Sequence, residues 1–213
     1  MPTVAWVAVA FAAGTIPTPW LMARAAGRDD LIAKMHRQDS PGDAHFIVGH
    51  GMGKLAVVTA VILDLLKGFV PALVARILGV DHGTLAWIGV AAVAGHSFAP
   101  FLRTAGGRGL TTAAGVSLAI IPKAMVGSGI IALVGTAARY GGQGTSLGFS
   151  LLPLFAWVFG YDAALTAMAG GILGLIAIRR LEGIEQDRRA GASLTRSLAM
   201  RLLFDLPGRQ RRA

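Results

Sequence analysis

The sequence predicts an all-α membrane protein, a polytopic bundle of about seven transmembrane helices, and three observations support this. The chain of 213 residues is 54% hydrophobic and 15% charged, whereas soluble domains carry roughly 25% charged residues. Its apolar residues form runs separated by polar connections. Its basic residues concentrate in alternate connections, as they do in membrane proteins with one positive face.

The apolar runs define the candidate spans. Prolines at positions 17 and 19 predict a kink in the first run. The polar stretch 24–54 is predicted to be a long loop. Several later runs are shorter than the roughly 20 residues of a perpendicular span, so six or eight spans also fit the pattern. The runs cover residues 3–22, 55–80, 84–102, 110–121, 124–138, 146–159 and 163–178.

The basic residues predict the orientation. They lie mostly in connections 24–54, 103–108, 139–145 and 179–213. The other connections hold little beyond Arg76 and Lys123. Because positive loops stay in the cytoplasm, we expect the N-terminus outside and the C-terminus inside. The net charge of +9 would also suit nucleic acid, but the apolar composition argues against that partner. The chain has no cysteine, so a thiolate site is excluded.

Ionisable residues within the apolar runs are candidates for a function. Asp64 and Lys67 are three residues apart and therefore neighbours on one helical face. Charges within a span are costly and usually mark a function, although this pair could equally serve only to lock the bundle. His96 lies near the end of the third run, where a histidine is more often a packing residue than a base.

A glycine-rich segment joins the third and fourth runs. It reads Gly106-Gly107-Arg108-Gly109 and is followed by Leu110, Thr111 and Thr112. Glycines expose backbone N–H groups, a helix beginning near Leu110 would aim its positive end at the same place, and arginine binds phosphate with a planar fork. The segment predicts a phosphate-binding loop at the membrane surface. The alternative is a flexible turn with a topology-setting arginine.

The C-terminal part of the chain is rich in arginine. Leucines at positions 194, 198, 202 and 206 follow helical spacing. We interpret 186–213 as a basic cytoplasmic tail that contains an amphipathic helix on anionic lipid or is partly disordered. Residues 1–185 form the membrane domain.

Five motifs, in order, resemble a known family of proteins. They are Gly14-Thr15-Ile16-Pro17, Asp64-Leu65-Leu66-Lys67-Gly68, the stretch from Gly95 to Pro122, Arg139-Tyr140, and Arg179-Arg180-Leu181-Glu182-Gly183. The chain is similar to the bacterial membrane acyltransferases of the PlsY type, which acylate glycerol 3-phosphate from acyl-phosphate. The central stretch is the most specific part of the resemblance.

The resemblance implies seven spans and an active site at the cytoplasmic face of the bacterial inner membrane. The implied partners are acyl-phosphate, glycerol 3-phosphate and membrane lipids, with no metal, coenzyme A or other cofactor. Ser40, Arg108 and His96 are the implied catalytic residues, with His50 as an alternative source of proton chemistry. The implied substrate-binding residues are Gly106, Gly107, Gly109, Thr111, Thr112, Lys67 and Arg180.

The chain departs from the family pattern in its polar residues. The family's first loop has asparagine, threonine, asparagine and arginine where this chain has Gly42, Phe46, Ile47 and His50, respectively. Its last motif has histidine and asparagine where this chain has Gly174 and Ala177, respectively. Arg108 and Ala105 stand where the family has lysine. Two alternatives to an acyltransferase therefore remain. One is an inactive family member that acts as a membrane scaffold or partner subunit, and the other is a small transporter that uses Asp64 and Lys67.

Overall fold

The computed structural model describes residues 1–36, 44–98 and 107–204, and within them the chain forms helices joined by short turns, with no strand. Their bounds are α1 Thr3–Gly14, α2 Thr18–Ala25, α3 Asp29–His36, α4 Ala44–Met52, α5 Lys54–Ile77, α6 His82–Ser97, α7 Leu110–Ile120, α8 Pro122–Ala137, α9 Gly141–Val158, α10 Ala163–Leu181, α11 Ile184–Arg189 and α12 Leu194–Leu203. The predicted all-α class is confirmed.

The predicted kink in the first run is also confirmed. Helices α1 and α2 meet at an angle of 49° across the break at Pro17. Pro17 precedes α2 and Pro19 lies in its first turn, where a missing N–H costs no helical hydrogen bond. The break exposes the carbonyl of Ile16, which becomes important at the candidate site.

The expected loop 24–54 was wrong, because α3 and α4 lie within it. Asp29 and Asp30 occupy the first turn of α3, where their charge favours the helix N-terminus. Leu31 and Val48 are buried in a small apolar cluster between these helices. The many charges concealed this amphipathic pattern. Outside the spans, the guanidinium of Arg28 donates to both oxygens of Asp30 and lowers the pKa of that carboxyl to about 2.

Among the residues that the structure describes, two helical stretches are long and apolar enough to cross a membrane, Lys54–Ile77 and Ala163–Arg189, and the bent pair α1 and α2 is a third if it counts as one span. Helices α7 and α8 are apolar but shorter. The described residues therefore form a membrane-type helical bundle, and the number seven stays a prediction. Helix α9 begins earlier than expected, at Gly141, because Gly144 packs directly against Gly135 of α8.

Glycines allow the helices around the site to cross at backbone contact. A β-carbon at Gly95 in α6 would lie 2.2 Å from the carbonyl oxygen of Phe11 in α1. One at Gly115 in α7 would lie 2.0 Å from the carbonyl oxygen of Leu65 in α5. Close small-residue contacts of this kind are a common way to pack helices in membranes. They bring α1, α5, α6 and α7 together at the end where α6 finishes and α7 begins.

Candidate active site

A buried ion pair lies at the centre of the candidate site. Lys67 Nζ is 2.7 Å from Asp64 Oδ1, and the Asp64 side chain is fully buried. Thr18 of α2 donates a hydrogen bond to the same carboxylate oxygen. His45 of α4 places Nε2 3.0 Å from Asp64 Oδ2. Three helices thus meet at one carboxylate, which is how a charge is accommodated inside an apolar bundle.

Further hydrogen bonds fix this pair to its neighbours. Lys67 Nζ donates to the carbonyl oxygen of Ile16 at 2.8 Å, in the break between α1 and α2, where the N–H of Thr18 donates to the same oxygen at 3.1 Å. Thr112 Oγ1 donates to the carbonyl oxygen of Asp64 at 3.1 Å and is fully buried. Thr112 therefore ties α7 to α5. The functional groups of Lys67 and Thr112 are both occupied in these contacts.

His96, near the end of α6, lies between the ion pair and the glycine-rich loop. It is close enough to Asp64 and Lys67 to interact with both electrostatically. Its Nε2 faces Gly107 so closely that a β-carbon there would lie 2.0 Å away. Its Nδ1 is buried and has no hydrogen-bond partner among the described residues. One ring thus connects the buried charges with the loop.

The described part of the loop leads directly into α7. Gly109 precedes the helix with φ of 80°, and a β-carbon on it would come within 2.9 Å of Ser97 Oγ. Both facts require glycine at this position. The first N–H groups of α7 have no partner within the helix, which makes this end suited to an anion. Arg108 is half-buried beside it, and Thr111 is half-buried in the first turn.

Two consecutive arginines end α10 near this loop. Arg179 Nε donates to the carbonyl oxygen of Gly107 at 3.4 Å, and its guanidinium lies 5.3 Å from the centre of the Phe98 ring. Arg180 Nη1 donates to Ser146 Oγ at 2.8 Å and to the carbonyl oxygen of Leu202 at 3.0 Å. Both side chains are buried. The end of α10 therefore supplies one arginine to the loop and one to the contact between α9 and α12.

The structure brings His96, Lys67, Gly107, Arg108 and Gly109 to one end of the bundle. Ser40 and Gly106 lie outside the described residues. His50 is exposed, with Nδ1 2.8 Å from the carbonyl oxygen of its helical neighbour Phe46.

Sequence reasoning missed three residues near the site: Thr18, His45 and Arg179. Thr18 follows the proline break and His45 stands alone in a polar stretch, so neither carries a spacing signal. Arg179 was visible beside Arg180, but the sequence does not show which of the two faces the loop.

Comparison with known proteins agrees with this arrangement. A family model described as glycerol-3-phosphate acyltransferase matches residues 4–187. The chain belongs to the glycerol-3-phosphate acyltransferase family. A relative from Geobacter sulfurreducens with that name is 33% identical over 183 residues, which cover 85% of this chain and 91% of the relative. One from Pseudomonas syringae is 34% identical, over 87% of this chain and 95% of the relative.

Solved acyltransferase structures show the same fold. PlsY, an integral membrane glycerol 3-phosphate acyltransferase, superimposes in its glycerol 3-phosphate form with a TM-score of 0.73 and 30% identity, covering 86% of this chain and 90% of PlsY. Its lysophosphatidic acid form gives a TM-score of 0.72 and 31% identity. These matches confirm the resemblance found in the sequence and support a membrane acyltransferase.

Proposed function

We propose that this acyltransferase moves a fatty acyl group from acyl-phosphate to the 1-hydroxyl of glycerol 3-phosphate and so forms lysophosphatidate for phospholipid synthesis. The family membership supports the acyl transfer to glycerol 3-phosphate. The observation that carries the assignment to a site is the meeting of Gly107, Arg108 and the N-terminus of α7 with His96 and Arg179. Fixed cations and backbone N–H groups at one place suit a phosphate.

The proposed reaction needs charge stabilisation more than covalent catalysis. The hydroxyl oxygen attacks the acyl carbonyl carbon, the bond from that carbon to the phosphate oxygen breaks, and inorganic phosphate leaves. Arg108 and the backbone of Gly106, Gly107 and Gly109 bind a phosphate, and Thr111 and Arg179 assist. Arg180 is proposed to support the site indirectly, by holding α9 and α12 against the end of α10. Such preorganised groups act where negative charge develops. Ser40 is proposed to bind phosphate together with these groups.

His96 is the proposed group for proton chemistry. It contacts the loop at Gly107 and has a buried Nδ1 without a partner among the described residues. The hydroxyl proton of the acceptor passes to this ring or to the leaving phosphate. Lys67 is proposed to act by its charge and by holding Asp64 and the break after α1, since Nζ already contacts both. Thr112 is proposed to position α7 through its contact with α5.

We also propose seven spans, an outside N-terminus and an active face in the cytoplasm of a bacterial inner membrane. His96 near the end of α6 and Arg179 near the end of α10 both lie at Gly107. At the other end of the bundle, His82 at the start of α6 lies 2.5 Å from Asp162, which precedes α10. Most basic residues lie in connections 24–54, 103–108, 139–145 and 179–213, and the alternation of spans along the sequence assigns all four to the face that carries Gly107, which supports a cytoplasmic site.

Acyl transfer by the purified protein in lipid tests the function. Acyl-phosphate and radiolabelled glycerol 3-phosphate are supplied, and lysophosphatidate and released phosphate are measured in parallel. Both products are expected in equal amounts. Release of phosphate without lysophosphatidate would indicate another acceptor. The absence of both products would refute the proposal. The comparisons give no support to the scaffold or the transporter. The transporter hypothesis would be supported by solute flux into proteoliposomes that is lost in the Asp64→Asn variant.

A further inference from the structure

Helix α12 lies beyond the part of the chain that matches the family model, yet buried polar contacts join it to the site end of α10. The match ends at residue 187, and α12 covers Leu194–Leu203. The helix touches α9, α10 and α11. Its Arg201 is 8% exposed, although an arginine on a lipid-surface helix would lie in water. The Arg201 guanidinium therefore contacts groups inside the protein.

Arg201 holds both the turn after α10 and helix α11. Its Nε donates to Asp187 Oδ2 at 2.6 Å, and Asp187 is fully buried. Nη1 donates to the carbonyl oxygen of Glu182, and Nη2 donates to that of Gly183 at 3.0 Å. A single guanidinium thus donates to one oxygen of a buried carboxylate and to two carbonyl groups. Only arginine offers enough donors in a rigid fork for this.

The turn that Arg201 holds also determines the position of Arg179. Glu182 in that turn forms an ion pair with Arg179, and Arg179 donates to the carbonyl oxygen of Gly107. Arg180 depends on α12 as well, because the carbonyl oxygen of Leu202 accepts from its Nη1. The contacts therefore run without interruption from α12 through the turn to the glycine-rich loop.

We propose that α12 is a clamp on the active site and that Arg201 is its positioning residue. The inference rests on the proposed function. Loss of the guanidinium would remove one buried hydrogen bond from the Asp187 carboxylate and one from each of the two carbonyl groups. The turn would then repack, and Arg179 would lose its fixed position beside Gly107. The affinity for the phosphate group of glycerol 3-phosphate should fall first, since Arg179 contacts the glycine-rich loop that is proposed to bind it.

The test compares Arg201→Ala with Arg196→Ala, an exposed arginine on the same helix. KM for glycerol 3-phosphate and kcat are measured separately in purified protein, well below its melting temperature. Arg201→Ala should raise KM and lower kcat/KM by about 10- to 100-fold. Arg196→Ala should stay within about twofold of the wild type. Arg201→Lys should be intermediate, because lysine keeps the charge but loses the fork.

Each outcome decides the proposal. An unchanged KM and kcat in folded Arg201→Ala, or equal losses in both arginine variants, would overturn the clamp and leave the proposed function standing. An inactive wild-type protein would overturn both. If Arg201→Ala does not fold, Asp187→Asn removes one charge from the same contact with almost no change in shape, and the same increase in KM is required of it.

Discussion

The imidazole of His96 lies directly against the backbone of Gly107, with no room for a side chain between them. A β-carbon at Gly107 would be 2.0 Å from Nε2 and 2.8 Å from Cε1, far inside contact distance. The same ring interacts electrostatically with the buried charges of α5, Asp64 and Lys67. Because the ring and the loop are in direct contact, displacing one of them would also displace the other.

Gly107→Ala should therefore impair catalysis by displacing either the loop or the ring. We expect kcat/KM to fall by about 100-fold, since displacements of about 1 Å have effects of this size. The matched control is Gly129→Ala in α8, where a β-carbon meets nothing within 4 Å. That variant should keep full activity. Equal activity of the two variants would show that the contact has no role in turnover.

Arg108→Ala should abolish most activity without removing the protein from the membrane. The loss of a cation aimed at developing charge is expected to cost about 100- to 1000-fold in kcat. Arg108→Lys should retain part of the rate because it keeps the charge and loses the fork. Lys123→Ala, an exposed cation at the start of α8, is the control. Normal turnover by Arg108→Ala would refute the assignment of this residue.

Asp64→Asn should destabilise the bundle, because it leaves the Lys67 ammonium buried without its counter-ion. Breaking a buried pair in this way costs about 3–5 kcal/mol. Removing both charges in Asp64→Asn/Lys67→Met should restore part of the stability, and thermal melting in detergent measures both changes. Asp30→Asn breaks an exposed pair with Arg28 and should change the melting temperature little. If the double variant were the least stable, the pair would not explain the effect.

Acid should weaken the end of the bundle opposite the loop. The N–H of Thr84 lowers the pKa of Asp81, and the N–H of Leu165 together with His82 lowers the pKa of Asp162. Carboxyls with lowered pKa stabilise the fold fully above about pH 4 and lose this effect as the pH falls through their folded values. The melting temperature should therefore fall as the pH is lowered below about 4.

The double variant Asp81→Asn/Asp162→Asn tests this directly. Asparagine also caps helices but does not titrate, so the melting temperature should depend less steeply on pH below about 4. Glu185→Gln, an exposed carboxylate outside these caps, is the control. An unchanged pH dependence in the double variant would mean that other carboxylates account for the acid sensitivity.

The sequence by itself determined the features that depend on neighbouring residues. Composition predicted an all-α membrane protein, Pro17 and Pro19 predicted the break in the first run, and the spacing of Asp64 and Lys67 predicted their contact. Each follows from local geometry, since residues three apart on a helix are always neighbours. The order of the motifs predicted the family because sequence similarity needs no tertiary contacts.

Only the tertiary structure decided what converges on those residues. Thr18 and His45 reach Asp64 from helices whose packing no local pattern encodes. Arg179 and Arg180 point about 100° apart around one helix, so the rotation of α10 decides which one faces Gly107. Arg201 reads as part of a basic tail in the sequence. Its burial depends on acceptors at Glu182, Gly183 and Asp187, which the turn after α10 and helix α11 bring together.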